Sequence, residues 1–401
     1  VAFSFGPEYE EFRQEIRQFM QTHVPPDLAR RTFVGAHPPL ISDWRQWQRI
    51  LAARGWGAPH WPVEYGGTGW DAVRKHIFME ELYNADGLDY GMQGSHMIAP
   101  VLIAFGSQAQ KDRFLPAILS GEEYWCQGFS EPGAGSDLAS LRTSGELIGD
   151  EWVINGQKIW TSDAQFADWG FFLVRTERDE KPQRGISMLL IEMDTPGITI
   201  RPITGINGGH ELNEVFLDNV RIPADQIVGE RGQGWTYAKY LLSKERTASA
   251  MLYANKRDLE KARAIARREQ RGNTPLAEIP EFARKIAEVE IDLLALEWSV
   301  LRILADAPNA HNADAVVSAL KNRGSEMQQR VTGLQMELLG TKALRDFESE
   351  KNGGAELPDT QCWPDYVPGR SSAFIYQRAA TVYGGSREVQ KNIIAKLAFG
   401  L

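Results

Sequence analysis

The hydrophobic period of this chain changes twice, and that change limits its architecture more than any other feature. Up to about Ser120, apolar residues recur at helical spacing: Tyr9, Phe12, Ile16, Phe19 and Met20 share one face, and Trp44, Trp47 and Leu51 another. A Pro/Gly-rich loop, GAPHWPVEYGGTGW, interrupts the run. From Glu123 to about Val228 the pattern shortens to alternating runs such as EWVINGQKIW, WGFFLVRT, ISMLLIEM and EVFLDNVRI, which predict strands. Asn155-Gly156 predicts a hairpin turn, and Asp194–Gly197 and Asn207–Gly209 predict further turns. From Trp235 the helical period returns, in segments of about 235–270, 277–306, 312–340 and 371–398. This order predicts an α+β chain of three domains: residues 1–122 all-helical, 123–232 a β-barrel or sandwich, and 233–401 a helical bundle.

Composition narrows the function. The net charge is −9 with no long basic run, so nucleic acid is not an expected partner. No apolar run is long enough to span a bilayer and no signal-peptide pattern is visible. Cys126 and Cys362 are the only cysteines, which suits a reducing, cytoplasmic setting and excludes a disulfide framework. The seven histidines show no paired ligand spacing, so no metal is expected. Twelve tryptophans are many, and large aromatic surfaces line pockets for flat ligands as well as filling cores.

Two glycine-rich stretches carry chemistry. In CQGFSEPGAGSDLASLRTSG, Gly133, Gly135 and Ser136 clear side chains from a loop and expose backbone donors, while Ser130, Ser136 and Thr143 add hydroxyls. Such a loop either grips a phosphate or a polar ring edge, or is a flexible domain junction. It lacks GxGxxG and GxxxxGK[ST], so neither dinucleotide nor P-loop binding is indicated. In TVYGGSREVQKNIIAKL, Gly384-Gly385-Ser386 precede a helical pattern, leaving backbone N–H groups approachable at its start.

The segments GFSEPGAGSD, NGQKIWTSDAQFADW and VYGGSREVQKNIIA, with GWGAPHWPVEYGG and FGSQAQKDRFLPAILSGE before them, resemble the acyl-CoA dehydrogenase family in order and spacing. The resemblance covers nearly the whole chain. It implies a helical N-terminal domain, a central β-domain, a C-terminal four-helix bundle, FAD as cofactor, and oxidation of an acyl-CoA thioester to the trans-2-enoyl-CoA. The usual electron acceptor of the family is an electron-transferring flavoprotein. By the same resemblance Gln127, Phe129, Ser130, Gly135, Ser136, Trp160, Thr161, Ser162, Ser386 and Glu388 contact the flavin. Ser136, Arg246, Ser249 and Gly385 are implied at the substrate, and the Gly384 N–H is implied to bond the thioester oxygen.

The chain departs from the commonest family pattern where a glutamate follows the tyrosine of the last motif; Gly384 stands there. A second base position is known in the family, on the first bundle helix before an arginine, and Glu245-Arg246 match it. Helical spacing puts Glu245 on a face with Ala238, Leu241, Leu242, Ala248, Ser249 and Leu252. A carboxylate there either pairs with a distant arginine or is a base whose proton affinity burial raises.

Homomeric relatives complete the FAD site from a neighbouring subunit, with an Arg-x-x-Phe-Gly element and a Gln-x-x-Gly-Gly element. Here the first reads RREQRGNTPLAEIPEF, and in MELLGTKAL Glu337 and Thr341 replace the glutamine and a glycine. The resemblance therefore implies a heterotetramer with a homologous partner subunit, with a homotetramer as the alternative. Such assemblies act on steroid side chains or on other bulky or dicarboxylic acyl groups. A non-catalytic scaffold subunit and an acyl-CoA oxidase using dioxygen are the competing functions.

Overall fold

The computed structural model describes residues 5–35, 39–89, 91–244, 250–306, 313–344 and 363–401. Its N-terminal part is helical: α1 (Pro7–His23), α2 (Pro26–Val34), α3 (Ile41–Ala53), α4 (Ala72–Asn84), a π-helical segment Met92–Ile98, α5 (Ala99–Phe105) and α6 (Gln108–Ser120). The predicted α1 face is the one that packs, with Ile16 and Met20 buried beside Trp47, Leu51 and Phe78. Local chemistry sets the ends. Asp71 caps α4, and Ser107 with Gln110 forms a reciprocal capping box at α6, each cap contributing about 1 kcal/mol.

The middle part is one seven-stranded sheet: β1 (Trp125–Gly128), β2 (Ser144–Ile148), β3 (Glu151–Ser162), β4 (Trp169–Arg175), β5 (Ile186–Glu192), β6 (Ile198–Ile203) and β7 (Leu212–Pro223). The spatial order is β1-β4-β2-β3-β7-β6, with β5 also on β4. Both faces of β4 and β5 are buried, which explains their continuous apolar runs. The predicted turns at Asp194–Gly197 and Asn207–Gly209 join β5 to β6 and β6 to β7.

The predicted hairpin at Asn155-Gly156 is not a turn. β3 runs through it, and the β2–β3 hairpin turns instead at Gly149-Asp150, next to the Ile148–Glu151 pair. Asn155 Oδ1 accepts from the Asn219 N–H at 2.8 Å, across the sheet. A Cβ at Gly156 would lie 2.5 Å from Thr143 Oγ1, so the glycine serves close strand approach and a bulge.

The last part contains α7 (Gly234–Lys244), α8 (Leu252–Arg268), a short hairpin of β8 (Gln270–Arg271) and β9 (Thr274–Pro275), α9 (Pro280–Asp306), α10 (Ala313–Leu339), α11 (Arg370–Tyr376) and α12 (Arg387–Phe399). The single helical segment expected over 235–270 contains two described helices, with Met251 in the left-handed region at φ 49°. Leu259, Ile265, Val300, Val331 and Leu338 form the core between α8, α9 and α10. Among the described residues no helix is long and apolar enough to cross a membrane.

A charged cluster pins the N-terminal helices to the bundle. Glu81 takes Arg13 at 2.8 Å and Arg17 at 2.9 Å, and Lys256 on α8 bonds both Glu80 and Glu297. His76, Glu80 and Glu297 bring ligand-type atoms within 4.8 Å of one another, a grouping invisible in sequence spacing. The Lys256 ammonium supplies the positive charge between the two carboxylates. Burial, against the pull of Glu80, lowers the His76 pKa to about 4 from 6.5. Unfolded, this imidazole takes up a proton near 6.5; folded, only near 4. The unfolded chain binds more protons in that window, so stability falls as pH drops through it. His76→Gln is expected to flatten this part of the stability curve, as read by denaturant unfolding at about pH 7, 5.5 and 4.

Candidate active site

The Gly-Ser-Asp loop leaves the end of β1 and returns at β2. Its closure is ionic. The buried Glu131 carboxylate accepts from the Arg142 N–H at 2.6 Å, the Thr143 N–H at 2.9 Å and Lys158 Nζ at 2.8 Å. Lys158, fully buried on β3, also donates to the Phe129 carbonyl at 3.1 Å. Burial would raise the Glu131 pKa, but the Lys158 charge and these hydrogen bonds outweigh it and hold the carboxyl below its usual range. Glu131 and Ala134 exchange main-chain hydrogen bonds. The tip is left open: Gly133, Gly135 and Ser136 are exposed, and a Cβ at either glycine would meet nothing within 4 Å.

The loop is tied to β3 just before Trp160. The Ile159 N–H donates to the Ser130 carbonyl at 2.9 Å. Between Lys158 and Thr161 the β3–β7 register shifts. Trp160 sits in this bulge at φ 60° with 55% of its side chain exposed. A tryptophan in the left-handed region is strained, and such strain clusters at functional sites. Thr161 beside it is fully buried, and its Oγ1 has no hydrogen-bond partner among the described residues. Ser162 is half-buried and pairs with Leu212. Gln127 is half-buried on β1, and Phe129 packs edge-on against Phe171 at 5.6 Å.

α11, which precedes the C-terminal glycines, is tied to the end of β3 through Glu211. Tyr376 Oη donates to Glu211 Oε1 at 2.9 Å, and the Asp163 N–H donates to the Glu211 carbonyl at 2.8 Å. Burial and the Glu211 carboxylate raise the Tyr383 pKa to about 12. Glu211 therefore joins the end of β3 to the end of α11. Gly384 and Gly385 lie at φ 62° and 83°, a conformation that glycine adopts without penalty. Their carbonyls are occupied. Gln390 Nε2 donates to Gly384 O at 3.2 Å, and Lys321 Nζ to Gly385 O at 2.9 Å. Their N–H groups are exposed and have no acceptor among the described residues. Successive bare amides in a turn make a concavity for negative charge.

Ser386 caps α12, its Oγ accepting from the Val389 N–H at 3.2 Å, and the Glu388 side chain is exposed 3.7 Å from Arg387. Glu245, Arg246 and Ser249 lie outside the described residues, as do Cys362 and most of the ESEKNGGAELPDTQCWPD segment. Of the face assigned to Glu245, Ala238 and Leu241 are buried as expected. Several residues of this site were not found in the sequence: Glu131, Lys158, Glu211 and Lys321. Lys321 had a signal. It lies with Ser318, Ser325 and Gln328 in a helically spaced stripe of buried polar residues on α10.

The N-terminal, middle and C-terminal domains of the acyl-CoA dehydrogenase family match residues 6–122, 126–220 and 232–399. The chain is 36% identical to acyl-CoA dehydrogenase IpdE1 of Mycobacterium tuberculosis, over 98% of each. Among solved structures it is similar to the ChsE4-ChsE5 complex from Mycobacterium tuberculosis (TM-score 0.81, 31% identity, 100% of this chain and 99% of that one). It is likewise similar to the Tcur3481-Tcur3483 steroid ACAD (TM-score 0.84, 28% identity, 100% and 99%). The chain therefore belongs to the acyl-CoA dehydrogenases, FAD-dependent oxidoreductases that act on a CH–CH group.

Proposed function

We propose that this chain dehydrogenates a bulky acyl-CoA, of the steroid side-chain or dicarboxylic class, with Glu245 as base and a homologous subunit completing its flavin site. The observation that carries the reading is the turn at Gly384. It offers bare amides with their carbonyls tied behind them, and it has no side chain where many relatives keep their base.

The residues present fit FAD. Thr161 Oγ1 is a buried hydroxyl lacking a partner among the described residues, Trp160 holds an exposed flat ring out of the bulge, and the glycine loop tip is open. Gln127, Phe129, Ser130, Gly135, Ser136, Trp160, Thr161, Ser162, Ser386 and Glu388 would hold it. When bound, FAD supplies the acceptor for the hydride that leaves the β-carbon. The chain's own part is proton and charge handling. Glu245 takes the α-proton onto its carboxylate. The Gly384 N–H donates to the thioester oxygen, where negative charge builds as that proton leaves, and a fixed donor there stabilises the transition state. Ser136, Arg246, Ser249 and Gly385 orient the thioester. An electron-transferring flavoprotein then takes the electrons onward.

Glu337 on α10 is exposed and bonds Lys285 on α9 at 2.6 Å. It presents a carboxylate where homomeric relatives carry a glutamine toward a neighbour's flavin, and a carboxylate repels a pyrophosphate. Two of the similar solved structures carry paired names, ChsE4-ChsE5 and Tcur3481-Tcur3483, and one pair is called a steroid ACAD. The chain expressed alone is expected to bind FAD substoichiometrically and turn over poorly. Co-expression with its homologous partner, identified by co-purification, is expected to restore both. Stoichiometric FAD with full activity from the purified homomer overturns the two-subunit site, and an acyl-CoA panel tests the substrate class.

A further inference from the structure

We propose that Lys321 on α10 is a positioning residue for the thioester: it fastens the Ala380–Gly385 turn by its carbonyls and fixes a positive charge behind the Gly384 amide. The inference rests on the reading that this amide meets the thioester oxygen.

Lys321 Nζ donates to Ala380 O at 3.0 Å and to Gly385 O at 2.9 Å, and lies 5.8 Å from the centre of the Tyr383 ring. The side chain is 6% exposed, and none of the described carboxylates forms an ion pair with it. A buried cation is costly without an anion, and a neutral amide could satisfy two carbonyls at smaller desolvation cost. Burial alone acts on its pKa, downward. On this proposal the ammonium answers the negative charge that develops on the substrate. As the α-proton leaves, the thioester oxygen becomes enolate-like, and an ammonium on the far side of the hydrogen-bonding turn lowers the energy of that charge.

The same geometry accounts for glycine at position 384. A Cβ there would lie 3.9 Å from Lys321 Cε. With glycine no side chain of residue 384 competes for the ammonium, which stays on its two carbonyls. One turn along α10, Gly324 packs so closely that a Cβ would stand 2.0 Å from Ala250 O, and its carbonyl accepts from Asn255 Nδ2 at 3.1 Å. Ala250 is the first described residue after the segment that contains Glu245. A single turn of α10 thus holds both the amide turn and the chain leaving the base.

The test uses the FAD-loaded assembled enzyme, with Lys321→Met and Lys321→Gln. Turnover of the best acyl-CoA is measured together with binding of a 3-oxoacyl-CoA, which binds as an enolate, and of the matching enoyl-CoA. In both variants kcat and enolate-ligand affinity are expected to fall about 10-fold or more, with KM and enoyl-CoA affinity within about threefold of wild type. If K321M does not fold, K321Q carries the same comparison. Unchanged kcat and enolate preference overturn the proposal. So does an equal loss for both ligands, which marks a merely structural lysine. A wild-type enzyme without any enolate preference sinks the Gly384 reading instead.

Discussion

Glu245→Gln is expected to lower the rate of flavin reduction by acyl-CoA about 10³-fold, the scale of a lost general base. The change keeps the side chain's shape and removes only its ability to hold a proton at neutral pH. Flavin content, thermal unfolding and binding of the enoyl-CoA product are expected to stay at wild-type values. The reason is arithmetic as much as geometry. Gly384 has no side chain, so it offers no carboxylate at this position. Tyr383, beside it, is raised to about 12 and stays protonated near neutral pH. Lys321 carries its positive charge into two carbonyls. Among the groups of this turn none is a base, and the proton must go to another element. Stopped-flow reduction under anaerobic conditions measures the step directly. A rate within about threefold of wild type would show that residue 245 is not the acceptor and would revive the scaffold reading.

Lys158→Met is expected to destabilise the protein by about 3–5 kcal/mol, the usual result of stranding one partner of a buried ion pair. Lys158 is fully buried, and Glu131 is 8% exposed. Burial draws the Lys158 pKa down to about 8 against the pull of Glu131, which leaves the ammonium charged at neutral pH. Removing it leaves a carboxylate held only by two main-chain N–H groups and frees the Phe129 carbonyl. The loop from Phe129 to Thr143 then loses its fastening, so FAD affinity is expected to fall with stability. Glu131→Gln combined with Lys158→Met is expected to recover part of the loss, because no unpaired charge remains. A coupling energy above about 1 kcal/mol in the double-mutant cycle, read by denaturant unfolding, checks the pair; additivity within about 0.5 kcal/mol rules it out.

The three-part order was legible because period is a property of each segment alone. Helical spacing at Ile16 and Met20, and the apolar runs of β4 and β5, do not depend on what lies across the fold. Asn155-Gly156 misled because the same dipeptide suits two tasks. Left-handed turns favour it, but here Gly156 makes room for Thr143, a residue thirteen positions back. The π-helical Met92–Ile98 and the left-handed Trp160 were not legible, since neither leaves a compositional mark. Glu131 with Lys158, and Lys321 with Gly385, are pairings between distant segments. Only the folded chain puts them together, although the stripe Ser318, Lys321 and Ser325 announces that α10 buries polar groups.

The turn carrying the bare amides comes near the end of the sequence, yet it hangs on a helix that begins at Ala313 and on Glu211. During synthesis, at about 5–20 residues per second, the β-sheet and much of the bundle emerge before Gly384 does. Most of the chain is therefore synthesised before it owns the paired bare amides of Gly384 and Gly385. A message broken shortly after α10 still encodes Glu245 and the glycine loop at Gly133–Ser136, but not the amides of Gly384 and Gly385.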